Sequence, residues 1–293
     1  MKIDDIARRD AKQAPTDVVR LVVTDMDGTL LTPEKQITRR SVEAIARLAD
    51  AGVSVCLVSS RAPAGMIRYR DILKLQTPYA AMNGAIIRDR DGRTVSSLIL
   101  PPDAVRAALD MLTVHEVDGW LFCGDDWIVK DATSGYVPHE QKALGVPPVV
   151  VDSFDAWENR VGKITGSSAD YDLLTRQESE IGQLLAGQAS VARSAPYYLD
   201  ITPLAANKGY ALREIAGLMG VEPHEVASLG DMPNDIPMLD IAGLCIAMGN
   251  ATDEVASHAH FMTDTNEDEG WAKAVETWIL PRAPGRSVSG GTP

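Results

Sequence analysis

The sequence predicts an α/β protein in which a parallel-sheet core is interrupted by an inserted α+β domain. Apolar, strand-like segments alternate with helix-like segments from residue 19 to 85, and the alternation returns from residue 204 to 282. Between them, residues 86–203 contain hairpin-like strand pairs separated by helices. Alternating strands and helices indicate right-handed crossover units around a parallel sheet, so the two outer regions are expected to form one discontinuous, Rossmann-like core.

Each strand-like run in the first half of the core ends in polar residues. The runs are RLVVT at 20–24, VSVCLVSS at 53–60 and PYAAMNGA at 78–85, and the helix-like segment RRSVEAIARLADAG separates the first two. The polar residues at or after their ends are Asp25 and Asp27, then Ser59, Ser60 and Arg61, then Asn83 and Gly84.

The insertion begins with the hairpin-like segment AIIRDRDGRTVSSLIL and continues to YYLDITP, which ends at Pro203. If it is a lid that opens and closes, hinges near Ala85 and Pro203 should be accessible to solvent. The sequence leaves open which polar side chains face the core and which are surface or structural residues. The candidates are Asp125, Asp126, Tyr136, His139, Lys163 and Arg193.

The second half of the core is predicted from a helix, NKGYALREIAGLMG, and two strand-like runs, EVASLGD and GLCIAMGN. Lys208 opens the helix, and the acidic segment that contains Asp231, Asn234 and Asp235 follows the first run. The helix GWAKAVETWIL closes the core. Residues 1–18 are expected to form a flexible extension, and residues 283–293 a disordered tail because they are rich in glycine, proline and serine.

Composition excludes several classes of function. The chain has 293 residues and a net charge of -13, which opposes binding to nucleic acid or anionic membranes because such partners need a basic surface. No apolar stretch approaches the roughly 20 residues that span a bilayer, and the first residues carry charges where a signal peptide is apolar. A cytoplasmic monomer or homodimer is expected. Three scattered cysteines predict buried, reduced thiols rather than a disulfide framework.

Taken one at a time, the polar segments have ordinary structural explanations. Asp and Gly favour turns, Ser59 could cap a helix, Asn83-Gly84 could form a tight turn, and Lys208 could be a surface charge. However, the carboxyl ends of parallel strands face a common crevice. Four carboxylates gathered there would repel each other unless a divalent cation and an anion lay between them.

Magnesium fits this arrangement because it prefers hard oxygen ligands and remains partly hydrated beside a phosphate. Asp25 could then attack phosphorus and form an aspartyl phosphate. Asp27 could donate a proton to the leaving oxygen and later accept one from water. Ser59 and Lys208 could stabilise the charge that spreads over the phosphate oxygens.

The segments DMDGTLL, VSSR, NKG and GDMPNDIPML, in this order, resemble the four motifs of the haloacid dehalogenase superfamily. The NGA and MGNATDEV segments and the large insertion resemble its Cof-type phosphatase branch, whose inserted domain is a type IIB cap. The resemblance covers about residues 19–280. Two departures are Ser60, where the branch commonly has glycine, and Pro233 in the last acidic loop.

The resemblance implies a role for each motif residue. Asp25 would be the nucleophile and Asp27 the acid and base, while magnesium would contact Asp25, the Asp27 carbonyl and Asp231 directly and Asp235 indirectly. The cap, residues 86–203, would choose the substrate. The remaining candidates for phosphate or substrate binding are Ser59, Ser60, Arg61, Asn83, Gly84, Lys208 and Asn234.

The expected function is magnesium-dependent hydrolysis of a small phosphorylated metabolite, most simply a sugar phosphate. A phosphomutase of the same superfamily would use the same residues but return the phosphoryl group to a sugar. A phospho-accepting signalling protein would need a persistent aspartyl phosphate, which an acid/base at Asp27 opposes. A non-hydrolytic sugar-binding protein would be expected to lack Asp25 or Asp27, and both are present.

Overall fold

A computed structural model describes residues 15–284. Most of the predicted N-terminal extension and nearly all of the predicted tail lie outside this range. Within it, Thr16 is attached to the core, because its amide N–H donates to the Gly243 carbonyl at 2.9 Å and its own carbonyl accepts from Arg282 Nε at 2.9 Å.

The described residues form three sheets and the helices that cover them. The strands are β1 Leu21–Thr24, β2 Ser54–Leu57, β3 Tyr79–Ala81, β4 Ile86–Arg88, β5 Thr94–Ser97, β6 Asp118–Cys123, β7 Asp126–Val129, β8 Val149–Val150, β9 Lys163–Ser167, β10 Ala189–Ala195, β11 Tyr198–Pro203, β12 Val226–Gly230, β13 Leu244–Ala247 and β14 Phe261–Met262. The α-helices are α1 Arg39–Asp50, α2 Ala64–Ile72, α3 Pro102–Val114, α4 Val137–Leu144, α5 Tyr171–Leu184, α6 Lys208–Met219, α7 Ile236–Leu239, α8 Asp253–Ala256 and α9 Gly270–Ala274.

The core sheet has the strand order β14-β13-β12-β1-β2, and all its strand pairs are parallel. β1 lies between β12 and β2, and all four of its residues are buried, as expected of a strand covered by helices on both faces. The parallel α/β core that the sequence predicts is therefore confirmed. The register places the ends of β1, β2 and β12 at one edge, since Thr24 lies beside both Leu57 and Leu229.

A small antiparallel sheet, β3-β4-β5, follows the first half of the core. Tyr79 pairs with Arg88, and Ser96 Oγ lies 2.8 Å from the Tyr210 hydroxyl on α6. Strand pairing thus continues across the predicted boundary at residue 85, and β4 and β5 lie against the core. The hairpin predicted from AIIRDRDGRTVSSLIL is confirmed.

The cap sheet has the order β10-β11-β9-β6-β7-β8 and is antiparallel except at β7–β8. Its two faces belong to different hydrophobic clusters. One face packs under helices α3 and α5. The other contributes Trp120, Phe122 and Trp127 to a cluster that also contains Met66 and Met82. A continuous apolar interface therefore joins the cap to the core.

The accessible hinge expected near Ala85 is not observed, so that part of the prediction is wrong, whereas the chain directly after Pro203 is exposed. Ala85 is fully buried and Pro203 is also buried, because the strands on either side continue into sheets. The exposed positions lie farther on in both connections, at Ile99 (48% exposed) and Leu204 (53% exposed).

Two expectations from composition concern the described residues. None of the helices in residues 15–284 combines the length and apolar character that crossing a membrane requires. Cys56, Cys123 and Cys245 are all buried, as predicted.

Candidate active site

Three carboxylates meet at the edge of the core sheet where β1 and β12 end. One oxygen from each of Asp25, Asp231 and Asp235 lies within 4.8 Å of the others. Lys208 Nζ lies between two of them, 2.5 Å from Asp25 Oδ1 and 2.5 Å from Asp235 Oδ1. All four side chains are buried. The structure thus brings together the residues that the sequence placed at this edge.

Backbone geometry holds each member of the cluster in place. Asp25 follows β1 directly, and its N–H donates to the Leu229 carbonyl of β12 at 3.1 Å. Asp235 Oδ2 accepts the N–H groups of Asp231 and Met232, both at 2.9 Å, and so fixes the acidic loop after β12. Lys208 is the first residue of α6, whose N-cap is Asn207.

The cluster carries more buried negative charge than it can balance. Burial raises the pKa of Asp25, and the Lys208 ammonium opposes this rise without cancelling it. Burial also raises the pKa of Asp231 to about 7, with a further contribution from the Asp235 carboxylate. Although burial disfavours the charged ammonium, Asp235 and Asp25 hold the pKa of Lys208 above its ordinary value. Three carboxylates and one ammonium suit a hard cation bound by oxygen ligands.

Several residues that the sequence did not identify hold Asp231. Its Oδ1 accepts from Thr29 Oγ1 at 2.9 Å, and its Oδ2 accepts from Asn250 Nδ2 at 3.2 Å. Gly28 has a φ of +81°, and a Cβ there would lie 2.2 Å from Asp231 Oδ2. Glycine is therefore required where the two acidic loops meet. Asn250 lies at the end of the GLCIAMGN run, a strand-end position that could have identified it.

Asp27 points away from this cluster and is held by two cations. Arg61 donates to it from Nε at 2.6 Å and from Nη2 at 2.8 Å, and Lys35 Nζ lies 2.8 Å away. Burial alone would raise the pKa of Asp27, but the hydrogen bonds and charge of Arg61, with Lys35, lower it to about 2. In this arrangement Asp27 is a carboxylate. Arg61, a predicted phosphate contact, is bound to Asp27 here.

The turn directly after β3 has an unusual backbone and holds the loop that follows β2. Met82, Asn83 and Gly84 all have positive φ, at 51°, 55° and 98°. This turn lets Asn83 N–H donate to the Ser59 carbonyl at 2.9 Å, and Ser59 Oγ accepts the Arg61 N–H at 3.2 Å. A Cβ on Gly84 would lie 2.9 Å from the Asn207 carbonyl, so glycine lets this turn pack against the start of α6.

The asparagine pair joins this loop to the acidic loop. Asn234 Nδ2 donates to Asn83 Oδ1 at 3.1 Å, and the buried Asn234 Oδ1 has no hydrogen-bond partner among the described residues. The predicted residues therefore form two groups, one around Lys208 and one around Ser59. Asp25 and Asp27, separated by one residue, connect them.

A cleft of about 670 Å³ lies between the core loops and the cap and includes Asp27, Ser60 and Arg61 in its walls. Of the six cap candidates, His139 and Lys163 line it. Tyr136 stacks on Tyr197, with ring centroids 4.7 Å apart. The other three form ion pairs, Asp125 with Arg88, Asp126 with Arg160 and Arg193 with Glu178. Glu140, Lys142 and Tyr198 also line the cleft, and the sequence analysis did not select them.

A sequence model described as haloacid dehalogenase-like hydrolase matches residues 22–275. The chain belongs to this family. The predicted Cof-type phosphatase membership is confirmed, and the chain is a phosphatase of the haloacid dehalogenase type. The match covers both halves of the core and the whole cap, which agrees with the parallel core and antiparallel cap described above.

Known relatives extend over almost the whole protein. The chain is 29% identical over 283 residues to the 5-amino-6-(5-phospho-D-ribitylamino)uracil phosphatase YwtE of Bacillus subtilis, covering 88% of this chain and 97% of the relative. It is 28% identical over 272 residues to the pyridoxal phosphate phosphatase YbhA of Escherichia coli, covering 89% and 99%. A crystal structure of a haloacid dehalogenase-like hydrolase from Bacteroides thetaiotaomicron matches with a TM-score of 0.79 at 27% identity, covering 88% and 98%.

Proposed function

We propose that this phosphatase hydrolyses phosphate monoesters of small hydroxylated metabolites, such as sugar phosphates, and that it depends on magnesium. The observation that carries the proposal is the buried cluster in which one ammonium, Lys208, faces three carboxylates within 4.8 Å of one another. The two relatives named above act on small phosphorylated compounds, which supports the substrate class.

The residues present fit a magnesium ion. Asp25 and Asp231 would hold it, while Asp235, which is bound to Lys208 and two backbone N–H groups, would keep the acidic loop in place. The bound ion would offset the excess carboxylate charge and polarise the phosphate. Thr29 and Asn250 orient the Asp231 carboxylate, as hydrogen-bonding neighbours of metal ligands generally do.

In the proposed mechanism, a carboxylate oxygen of Asp25 attacks phosphorus, and the bond from phosphorus to the leaving oxygen breaks. Asp27 donates its proton to that oxygen and then takes one from the water that hydrolyses the aspartyl phosphate. Lys208 and Ser59 would stabilise the phosphate oxygens, with Asn83 and Asn234 fixing the loops that carry them.

Asp27 must first be released from Arg61 and Lys35, because these cations keep it ionised. Both cations line the cleft, so an incoming phosphate dianion would compete with Asp27 for them. Once the cations bind phosphate, the pKa of Asp27 would rise toward the range of a proton donor. The predicted role of Arg61 in substrate binding is consistent with this exchange, and a role for Ser60 stays a prediction.

We also propose that the cap runs from about residue 99 to 204, between the two exposed positions Ile99 and Leu204, rather than from 86 to 203. β4 and β5 pair with β3 and would remain with the core. The oligomeric state and the cytoplasmic location stay predictions.

The deciding experiment is a phosphate-release screen of the purified protein across phosphorylated metabolites, with magnesium and with a chelator. Release of inorganic phosphate that requires magnesium would support the proposal. Transfer of the phosphoryl group to a second sugar without phosphate release would identify a phosphomutase instead. A stable phosphoprotein without turnover would indicate a phospho-accepting protein.

A further inference from the structure

The cap contains a second buried lysine, Lys163 on β9, that reaches the core. Its Nζ donates to Asp200 Oδ2 at 3.2 Å and to the Ser60 carbonyl at 3.1 Å, and only 6% of the residue is exposed. Thr165 Oγ1 donates to the other oxygen of Asp200 at 2.7 Å. A hydrogen-bonded ion pair thus fixes this ammonium beside the loop that carries Ser59 and Arg61.

Lys163 retains one N–H group without an oxygen or nitrogen acceptor, although its Nζ also lies over the Phe122 ring, 4.8 Å from the centroid. An ammonium has three N–H groups, and two of them are used by Asp200 and the Ser60 carbonyl. Within residues 15–284 no acceptor takes the third, and the side chain lines the cleft. A donor that is buried in this way gains most from a ligand that completes its hydrogen bonding.

Glu140 on α4 supplies the complementary acceptor in the same cleft. Its Oε2 accepts from the Tyr198 hydroxyl at 3.2 Å, while its Oε1 receives no hydrogen bond from the described part of the chain. The Lys163 ammonium also lies close enough to Glu140 for their charges to interact. The cap wall therefore presents one free donor and one free acceptor to whatever enters.

We propose that Lys163 and Glu140 bind a hydroxyl group of the leaving group and thereby select phosphate esters of polyhydroxy compounds. This inference rests on the proposed function. A hydroxyl both accepts and donates, so it satisfies the two side chains together. A carboxylate in the same place would suit Lys163 but repel Glu140, and an ammonium would have the opposite conflict. The site adjoins the catalytic residues, because Lys163 is bound to the carbonyl of Ser60 and the next residue, Arg61, donates to Asp27.

The test compares sorbitol 6-phosphate with hexyl phosphate, which has the same chain length and no hydroxyl groups. The measured quantity is the ratio of their kcat/KM values in wild type, Lys163→Met and Glu140→Gln. The wild type should favour sorbitol 6-phosphate, and each variant should lose about tenfold of that preference, mainly through KM. Lys130→Met is the matched control, because this cap lysine also lies over an aromatic ring, 5.2 Å from the Phe154 centroid, but outside the cleft.

Lys163→Met leaves Asp200 buried without its cation, so the double variant Lys163→Met/Asp200→Asn provides a second measurement on a neutral background. Thermal melting of each variant establishes that it is folded. A wild type that favours hexyl phosphate, or folded variants that keep the wild-type ratio, would overturn the hydroxyl site. If the wild type fails to hydrolyse para-nitrophenyl phosphate with magnesium, the proposed function itself is wrong.

Discussion

Within residues 15–284 the core and the cap each bury one lysine, and the two lysines have different surroundings. Lys208 contacts two carboxylates and has a third nearby, so its site keeps an excess of negative charge. Lys163 has one carboxylate and one carbonyl, so its nearest contacts are balanced. Burying unbalanced charge is costly unless another ion enters. We therefore expect the core site to bind a cation for its chemistry, whereas the proposed cap site would use its hydrogen-bonding groups for recognition.

In our proposal, this difference corresponds to the reaction taking place in the core and the choice of substrate being made by the cap. Two sets of substitutions, one around each lysine, can contradict this assignment. Changes around Lys208 should affect every substrate equally, because they act on the phosphate. Changes around Lys163 should depend on the leaving group.

The largest effect is expected from Asp25→Asn. The amide keeps an oxygen that can accept from Lys208, so the fold should persist, but the nucleophile and one metal charge are lost. We expect kcat for every phosphate ester to fall by more than about a hundredfold. Asp50→Asn, on the exposed end of α1, is the control. Turnover above a hundredth of the wild-type value in folded Asp25→Asn would show that another residue is the nucleophile.

Removal of the metal should be almost as severe. A chelator should abolish turnover, and magnesium should restore it better than calcium, whose larger and looser coordination shell positions the phosphate poorly. Asp231→Ala should raise the magnesium concentration needed for half-maximal activity by more than about tenfold. Asp235→Ala should lower stability more, because Asp235 anchors two backbone N–H groups of the acidic loop. If Asp235→Ala instead raised the magnesium requirement more and Asp231→Ala lowered stability more, Asp235 would be the magnesium ligand and Asp231 the anchor of the loop.

The positions of the four acids could be predicted because they follow strands whose ends meet at one edge of a parallel sheet. Lys208 could be predicted only as the first residue of a helix, since the strand before it belongs to the cap sheet. Of the partners of Asp231, Asn250 lies at a strand end that could have identified it, whereas Thr29 reaches it from a loop 202 positions earlier in the sequence. The burial of Ala85 could not be predicted, because it depends on the run of positive φ at Met82 and Asn83 that precedes it. An isolated sequence does not reveal such a turn in non-glycine residues.

A smaller effect concerns stability and pH. In the metal-free protein Asp231 has a pKa of about 7 against an ordinary value of 3.8, so the folded state holds a proton that the unfolded state releases between these values. Stability without metal should therefore decrease as pH rises from about 4 to 7. The depressed pKa of Asp27, about 2, contributes stability that is lost only below about pH 4, so it does not vary in this window.

Magnesium binds the ionised carboxylate and should raise Tm more at pH 7.5 than at pH 5.5. At saturating metal we expect a gain of about 5 °C at the higher pH. Differential scanning fluorimetry with and without magnesium measures it, and Asp231→Asn should reduce the pH dependence of the gain, leaving the part due to Asp25, whose pKa burial also raises. An equal gain at both pH values would mean that Asp231 is not the titrating ligand.

The smallest effect on kcat/KM should come from the rim of the cleft, to which the core and the cap both contribute exposed cationic side chains. Arg68 of the core and Lys142 of the cap are exposed and line the cleft, in a chain of net charge -13 that otherwise repels phosphate. Arg68→Gln and Lys142→Gln should each lower kcat/KM about twofold at low salt, by weakening long-range attraction. The loss should vanish in 1 M salt, where charges are screened within about 3 Å.

Lys130→Gln, outside the cleft, provides the control for a general change in charge. A loss that persists in 1 M salt would indicate direct contact with the substrate. If only Lys142→Gln behaved in this way, the recognition site of the cap would extend beyond Lys163 and Glu140. If instead only Arg68→Gln kept its loss of kcat/KM in 1 M salt, and if that loss depended on the leaving group, the core would also take part in substrate choice. The separation of chemistry from recognition inferred from the two buried lysines would then be wrong.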